Sequence, residues 1–212
     1  MKVPTRMFSG SAALAAIALA SAPAVADHHG IETISPTATP TIAELRLGLV
    51  GTWAGELEYL DYQSGQWFGL PLNVAIEDGG DGATLIRKSD FDDGPEVGNV
   101  RIISTAMFLP DTNSEYIGTF RAGRPAELAA FSIALIAAED ATHWTMIAET
   151  DGEDGNQPAR IRETTVRNGD VLTTLKQVDP ANDGADEWIT RNRTTLTLTP
   201  PTPANSARTT PE

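Results

Sequence analysis

The chain has 212 residues and no cysteine, and its 29 acidic and 15 basic side chains give a formal net charge of -14. A surface this acidic repels phosphate backbones and anionic lipid headgroups, so nucleic acid and membrane surfaces are excluded as partners. The lack of cysteine excludes disulfides, thiolate metal sites and a cysteine nucleophile, so stability must come from an ordinary core.

The first 26 residues have the pattern of a secretory signal peptide. Lys2 and Arg6 precede an apolar, alanine-rich run, and the small-x-small sequence Ala-Val-Ala ends at Ala26. The run is shorter than the ~20 apolar residues that a membrane-spanning helix needs, so no stable membrane insertion is expected. We expect cleavage after Ala26 and a periplasmic or secreted protein.

Cleavage at that position would leave a mature chain beginning with Asp27, His28 and His29. The α-amine, two backbone amides and the imidazole of a third-position histidine form a square-planar set of four nitrogens that suits Cu(II) or Ni(II). His28 and His29 are therefore a candidate metal site. The alternative interpretation is a flexible segment, residues 27–41, that carries two chance histidines.

Residues 42–199 are predicted to form one all-β domain, because short segments with β-type alternation are separated by Gly, Asp and Asn clusters at hairpin spacing. In the first segment Trp53, Leu57 and Tyr59 alternate with Glu56 and Glu58, as in a half-buried strand. The ten predicted strands are Trp53–Tyr62, Trp67–Ile76, Ala83–Phe91, Val100–Leu109, Glu115–Arg121, Leu128–Ala138, Thr142–Thr150, Arg160–Val166, Val171–Val178 and Trp188–Leu198. Residues 200–212 show no apolar periodicity and are predicted to be disordered.

Ten consecutive strands with short links predict an up-and-down antiparallel meander, which closes into a barrel to remove its exposed edges. A two-sheet sandwich is the alternative, although it needs some longer crossovers. Residues 127–139 are ambiguous between strand and helix, because Leu128, Phe131 and Leu135 would also line one face of an alanine-rich helix. As a strand the segment is apolar on both faces, so Phe131, Ile133 and Leu135 are predicted to form an exposed band in a homodimer.

The segment 49–55, Leu-Val-Gly-Thr-Trp-Ala-Gly, resembles the calycin superfamily, which includes lipocalins, fatty-acid-binding proteins and nitrobindin-like barrels. In those families Gly-x-Trp opens the first strand after a short helical turn. Here residues 41–47 are predicted to form that turn, with Thr41 as N-cap and Glu44 three residues later. The runs GTWAGELEYLDYQSG and FDDGPEVG also resemble an uncharacterised group of bacterial exported proteins, which supplies no function.

The calycin resemblance implies structural roles for Gly51 and Trp53, with a late arginine, Arg191 or Arg193, packing over the Trp53 ring. It also implies that the barrel binds a small apolar or amphipathic molecule in its interior. Fatty-acid-binding proteins bind a carboxylate with a late Arg-x-Tyr pattern, but here Arg193 stands in the place of the tyrosine. The candidate lining residues are Tyr59, Trp144, Arg191 and Arg193.

Two other functions are open. The first is an interaction or homodimerising module without a ligand, which would use the apolar sixth strand. The second is a haem-dependent barrel using His143, because a nitrobindin-like barrel needs a proximal histidine. Apart from this haem alternative, the sequence leaves the cofactor unknown. The sequence has no G-x-S-x-G, H-E-x-x-H or phosphate-loop motif, so it does not indicate an enzyme.

Overall fold

The computed structural model describes residues 39–200, apart from residues 62, 182 and 183. The predicted signal peptide, the candidate metal ligands His28 and His29, and most of the predicted C-terminal tail lie outside the described residues. The structure therefore bears on the predicted barrel domain and on the short helix before it.

Two short helices and ten strands make up the described chain. The first helix, α1, spans Ile42–Leu47, and the second, α2, spans Gly94–Val97 between the third and fourth strands. The strands are β1 (Gly51–Asp61), β2 (Gln66–Asp78), β3 (Thr84–Asp92), β4 (Asn99–Leu109), β5 (Ser114–Arg121), β6 (Glu127–Ala138), β7 (His143–Asp154), β8 (Gln157–Asn168), β9 (Val171–Pro180) and β10 (Ile189–Leu198). Neither α1 nor α2, the two helices of the described residues, has the length or the apolar character of a membrane span.

Each strand pairs antiparallel with its neighbours in sequence, and β1 pairs with β10 to close a ten-stranded barrel. The predicted closed meander is confirmed, and the sandwich alternative is wrong. The helical alternative for residues 127–139 is also wrong, because β6 pairs with β5 and with β7. An apolar residue at every second position suits a half-buried strand, and Phe131, Ile133 and Leu135 supply that alternation here.

Closure of the barrel depends on the close approach of β1 and β10 at Gly55. Gly55 lies opposite Leu196 in the β1–β10 ladder. A Cβ atom added at Gly55 would lie 1.9 Å from the carbonyl oxygen of Thr195, which no real contact allows. Because the clashing atom belongs to the backbone, any side chain at this position would force the two strands apart.

The hairpin between β7 and β8 is tighter than the sequence suggested. The predicted strands Thr142–Thr150 and Arg160–Val166 leave residues 151–159 for the link between them, but the strands continue until only Gly155 and Asn156 remain. Both residues have positive φ angles, 58° and 62°, as a type I′ turn requires. The acidic residues before this turn therefore belong to a strand, and β7 extends well beyond its predicted end at Thr150.

Helix α1 begins with the predicted capping box. The Thr41 backbone N–H donates to the Glu44 carboxylate at 2.8 Å, and the Glu44 N–H donates to the Thr41 hydroxyl at 3.3 Å. These bonds satisfy two of the helix's free N–H groups. The helix lies across one end of the barrel and places Leu45, which has no exposed surface, in the core.

We call the end covered by α1 the closed end. Trp53 is 1% exposed there and donates its indole N–H to the Leu49 carbonyl at 2.9 Å. The prediction that Arg191 or Arg193 covers this ring is wrong, because Arg167 of β8 lies over it at 5.6 Å. Arg167 also donates to the Gly48 carbonyl at 2.6 Å, so it ties the helix to the barrel wall. Arg167 lies at the closed end because it immediately precedes the β8–β9 turn, which is located at that end of the barrel.

A second buried arginine, Arg46, completes the closed end. Its guanidinium donates to the carbonyls of Ala83 and Ala106, each at 3.1 Å, and to the carboxylate of Glu115. It also lies 5.2 Å from the centre of the Phe108 ring. A buried charge is tolerated when it is paired and hydrogen-bonded, and Arg46 meets both conditions.

Candidate functional site

The barrel encloses a cavity of about 920 Å³. Most of its wall is made by inward-facing residues at alternate positions of the strands, the same faces that carry the core. Along β6 and β7 the lining also includes consecutive residues, those at 127–131, 146–148 and 150–153. A volume of this size falls within the range of small-molecule sites in proteins.

The part of the cavity nearest the closed end is lined mainly by apolar side chains beside the Arg46–Glu115 ion pair, and we call these apolar side chains the apolar floor. Trp144 is 4% exposed and Met146 is 6% exposed, and both project into the interior from β7. The Trp144 indole N–H donates to the Ala141 carbonyl at 3.3 Å, so the ring is held in place. The other members of the apolar floor are Ile76, Leu85, Ala106, Ile133 and Leu172.

Two residues further along the strands, away from the closed end, the lining becomes polar, and we call this layer the polar belt. Leu85 of β3 is followed on the same face by Arg87, and Leu172 of β9 is followed by Thr174 and then Lys176. The polar belt consists of Arg87, Ser104, Thr119, Glu163, Thr165, Thr174, Lys176, Asn192 and Thr194. The cavity is therefore amphipathic along the barrel axis.

Arg87 is the most unusual side chain of the polar belt. Its Nε donates to the Ser89 hydroxyl at 3.1 Å, and its remaining surface faces the cavity. Burial lowers the pKa of Arg87, and the negative charge of Glu163 acts in the opposite direction. The guanidinium nevertheless stays protonated at any physiological pH, because an arginine pKa begins so high.

Lys176 lies directly opposite Glu163 in the β8–β9 ladder, on the same inward face. The polar belt thus holds two cations, Arg87 and Lys176, and one anion, Glu163. This excess of positive charge is confined to the belt. Over the whole cavity lining the carboxylates outnumber the cations by five to three, with Glu115, Glu127, Asp151, Glu153 and Glu163 against Arg46, Arg87 and Lys176. An anionic group brought into the belt would find hydrogen-bond donors and a favourable local charge.

The wall of the barrel is incomplete between β6 and β7. Pairing of these strands runs only from Ser132 opposite Glu149 to Ala138 opposite Trp144. Beyond Ser132, residues 127–131 of β6 pair with β5 alone, and residues 150–154 of β7 pair with β8 alone. We call the space between these two unpaired half-strands the lateral gap. Residues on both of its edges line the cavity.

The structure places the four predicted lining residues in different surroundings. Trp144 lines the apolar floor, as expected. Tyr59 belongs to the inward face of β1, but it lies beyond the cavity and stacks on Phe68 at 5.5 Å between ring centroids. Arg191 pairs with Asp154 at 2.5 Å at the end of the barrel opposite α1.

Arg193 lies on the outer surface of the barrel. Its guanidinium pairs with Glu58 at 2.5 Å and stacks over Trp67 at 4.4 Å from the ring centre. The cause is strand alternation: Asn192 and Thr194 face the cavity, so Arg193 between them faces outward. The interior cations are instead Arg87 and Lys176, which the sequence analysis missed. Strand alternation could have found Arg87, because Leu85 is an apolar inward residue and Arg87, two residues later on the same strand, must face the same way.

His143, the candidate haem ligand, also faces outward. It precedes the inward-facing Trp144, its side chain is 43% exposed, and its Nδ1 lies 2.9 Å from an Asp140 carboxylate oxygen. A group bound inside the barrel would be out of reach of this imidazole, so the placement argues against the haem hypothesis. Among residues 39–200 without 62, 182 and 183, no group of three or more His, Asp or Glu side chains is arranged to hold a metal ion.

The predicted dimer band is on the wrong face of β6. Ile133 is 8% exposed and belongs to the core, and Phe131 and Leu135 pack against the core beside it. The exposed apolar side chains of β6 are those at alternate positions, Leu128 and Ile136, which are 83% and 57% exposed. The sixth strand is apolar on both faces, as the sequence predicts. The predicted exposed band was assigned to the odd-numbered positions, which face the core, instead of the even-numbered positions, which face solvent.

No family model matches the chain, and no curated protein matches it. Among solved structures, the chain is similar to the crystal structure of Rv2717c from M. tuberculosis, with a TM-score of 0.52 and 12% identity over 76% of this chain and 99% of the other. A structure of a DUF3598-family protein of unknown function from Nostoc punctiforme shows 8% identity over 76% of this chain and 100% of the other, with a TM-score of 0.24. The first likeness supports the barrel fold alone.

Proposed function

We propose that this protein binds one small amphipathic molecule inside a calycin-like barrel. The observation that carries the proposal is the cavity of about 920 Å³ with an apolar floor and a polar belt. A molecule with an apolar body and one polar group matches this division, since each part finds a wall of its own kind. Export to the periplasm or outside the cell is part of the proposal and is supported by the pattern of residues 1–26.

The polar group of the ligand is anionic. Arg87 and Lys176 exceed Glu163 by one charge within the belt, and both cations line the cavity. Their attraction for an anion is strengthened because the barrel wall excludes much of the solvent. The apolar part of the ligand lies against Trp144 and Met146 on the floor.

Two dyes that differ by one sulfonate test this proposal. N-phenyl-1-naphthylamine is neutral, and 8-anilinonaphthalene-1-sulfonate adds an anionic group to the same aromatic frame. Both should fluoresce on binding to the processed protein. In Lys176→Met, titration should show that the affinity for the sulfonate falls about tenfold, as expected for loss of one charge-assisted hydrogen bond, while the affinity for the neutral dye stays unchanged.

The matched control is Lys88→Met. Lys88 follows Arg87 on β3 but faces outward and pairs with Glu77 at 2.6 Å, so its loss should leave the affinities for both dyes unchanged. If neither dye binds the parent protein, and native mass spectrometry of the purified protein shows no bound mass, the proposed function is wrong. Equal loss of sulfonate affinity in both variants would instead contradict the assignment of the anion to the belt.

A second candidate function, homodimerisation, is favoured by the outer face of β5 and β6. The outward positions of these strands carry no charged side chain, whereas Tyr116, Phe120 and Leu128 are 49%, 47% and 83% exposed. Two copies of so acidic a chain repel each other over most of their surfaces, so an uncharged apolar face is where they could meet. The variant Phe120→Asp with Leu128→Asp should be a folded monomer by light scattering; an unchanged mass would exclude this interface.

A further inference from the structure

The lateral gap opens the cavity sideways. Inward-facing residues elsewhere on β6 and β7 are buried or half-buried, and Ile133 and Met146 are only 8% and 6% exposed. At the gap, Ala129 and Gly152 belong to the same inward faces and line the cavity, yet both are exposed. Solvent therefore reaches the cavity lining through the wall at this place.

A second cavity lies on the outer side of the same gap. This outer depression has a volume of about 410 Å³ and is lined by Ala130, Ser132, Glu149, Thr150, Asp151, Arg160 and Trp188. Three of these residues, Ala130, Thr150 and Asp151, also line the inner cavity. The inner cavity and the outer depression thus meet across the lateral gap, and together they form one passage.

The outer depression is built around a fixed aromatic ring. Trp188 carries the guanidinium of Arg162 over its ring at 3.9 Å and that of Arg160 at 5.1 Å. Arg162 pairs in turn with Glu149 at 2.5 Å, and Arg160 pairs with Asp179 and Asp186. These contacts hold the indole beside the gap, where it offers an apolar surface to an arriving molecule.

The end of the barrel opposite α1 is joined by side-chain contacts. On one side Tyr59 stacks on Phe68, and on the other the Arg191–Asp154 ion pair joins β10 to β7 across the width of β8 and β9. No backbone ladder joins residues 127–131 to residues 150–154 among the described strands. Separating the two edges of the gap therefore breaks no ladder hydrogen bond.

We propose that the lateral gap is the port through which a small apolar or amphipathic molecule reaches the cavity, and that Trp188 and the outer depression form its vestibule. This inference rests on the proposed ligand-binding function. Three carboxylates lie at the gap, that of Glu127 on the inward face of β6 and those of Asp151 and Glu153 at outward positions of β7. The neutral dye N-phenyl-1-naphthylamine is therefore the suitable probe, since these charges do not repel it.

A disulfide across the gap tests the port. The chain has no cysteine, so an introduced pair has no competing partners. Continuing the β6–β7 register beyond Ser132 and Glu149 brings Ala130 opposite Asp151. Oxidation of the double variant Ala130→Cys, Asp151→Cys should slow dye association in stopped-flow fluorescence about tenfold or more, as expected when access is gated, and a reductant should restore the rate.

The matched control is Ala134→Cys with Ile147→Cys. These residues are a register pair in the closed part of the same ladder, four positions further along each strand and on the same outward face. Their oxidation should leave the association rate unchanged. Should the gap pair fail to oxidise, Ala130→Trp places bulk over the gap, with Ala134→Trp as its control, and the same slowing is expected of Ala130→Trp alone.

The outcomes separate the port from the function. The port is supported if dye association is slowed in the oxidised Ala130→Cys, Asp151→Cys protein or in Ala130→Trp and is unchanged in the matched Ala134 controls. Equal association rates in all of these variants, with dye still bound, would overturn the port and leave the binding cavity in place. Failure of the reduced proteins and the parent to bind either dye would overturn the binding function and the port together.

Discussion

The closed end and the lateral gap are built in opposite ways, although they belong to one barrel. At the closed end, buried arginines from α1 and β8 donate to backbone carbonyls and lie over aromatic rings. At the gap, two half-strands run without a ladder between them, and small residues such as Ala129 and Gly152 line their edges. The contacts of the closed end stabilise the barrel, and the unpaired half-strands of the gap leave an opening to the cavity.

The difference shows how a barrel can be both stable and accessible. β7 makes most of its ladder pairs with β8, whereas β6 pairs over equal lengths with β5 and with β7. The β6–β7 ladder nearest the closed end therefore joins these two strands, although the rest of their length is unpaired between them. Stability is concentrated where side chains from several elements converge, and openings belong to regions with few such contacts. Substitutions at the closed end should therefore cost far more free energy of unfolding than substitutions at the gap.

The largest effect is expected for Trp53→Ala. This substitution removes a fully buried indole together with its bond to Leu49, and should lower the free energy of unfolding by about 3–5 kcal/mol. Guanidinium unfolding with a constant m-value measures it. The control is Trp67→Ala, on the outer surface beside Arg193, for which about 1 kcal/mol is expected. Similar losses for the two tryptophans would contradict the special role of the closed end.

The buried ion pair of the closed end gives the next largest effect. Arg46→Met leaves the half-buried Glu115 carboxylate without its partner, at a cost of about 3 kcal/mol. Arg101→Met is the matched control, since Arg101 pairs with Asp90 at 2.7 Å on the surface, where such pairs contribute about 0–1 kcal/mol. Chemical denaturation of both variants would detect the difference, and equal costs would show that Arg46 is not a structural anchor.

The architecture could be predicted from sequence because strand alternation and turn residues are local signals. Ten segments, their order and the capping box at Thr41 follow from short stretches of chain. The length of each ladder is not local, because it depends on how neighbouring strands are staggered. This is why β7 was ended too early and why the lateral gap could not be foreseen.

The candidate site was only partly predictable for the same reason. Which arginine covers Trp53 depends on which strand ends bring their residues to the closed end, and this is set by the stagger around the whole barrel. The placement of Arg193 could have been corrected from alternation, and so could that of Phe131, Ile133 and Leu135. A shift of one residue exchanges the inward and outward faces of a strand.

A smaller effect distinguishes the two faces of β6. Ile133→Ala should cost about 2–3 kcal/mol, because Ile133 packs in the core, whereas Leu128→Ala at the edge of the gap should change the stability by less than about 0.5 kcal/mol. Urea unfolding of the two variants is the measurement. A loss for Leu128→Ala as large as that for Ile133→Ala would mean that the gap is closed and packed in solution.

The smallest effect concerns Asp81, in the loop that Arg46 holds at the closed end. The Asp81 carboxylate accepts hydrogen bonds from the backbone N–H groups of Ala83 and Thr84, at 2.9 and 2.7 Å, and from the Thr84 hydroxyl at 2.8 Å. These bonds lower the pKa of Asp81 from 3.8 to about 2. Because the folded-state pKa is the lower one, the stabilisation is present above about pH 4 and is lost as the pH falls towards 2.

Asp81→Asn should therefore lower the melting temperature slightly at neutral pH and remove part of the acid dependence between pH 4 and 2. Melting curves of parent and variant across this range should converge at the acid end, since the protonated carboxyl has already lost its stabilising bonds.

Asp61→Asn in the β1–β2 turn is the comparison, because the pKa of Asp61 is also lowered, chiefly by the Ser64 hydroxyl. Asp61 lies at the opposite end and supports no contact of Arg46. A larger loss for Asp61→Asn than for Asp81→Asn would show that the closed-end loop adds nothing to the anchoring of the barrel.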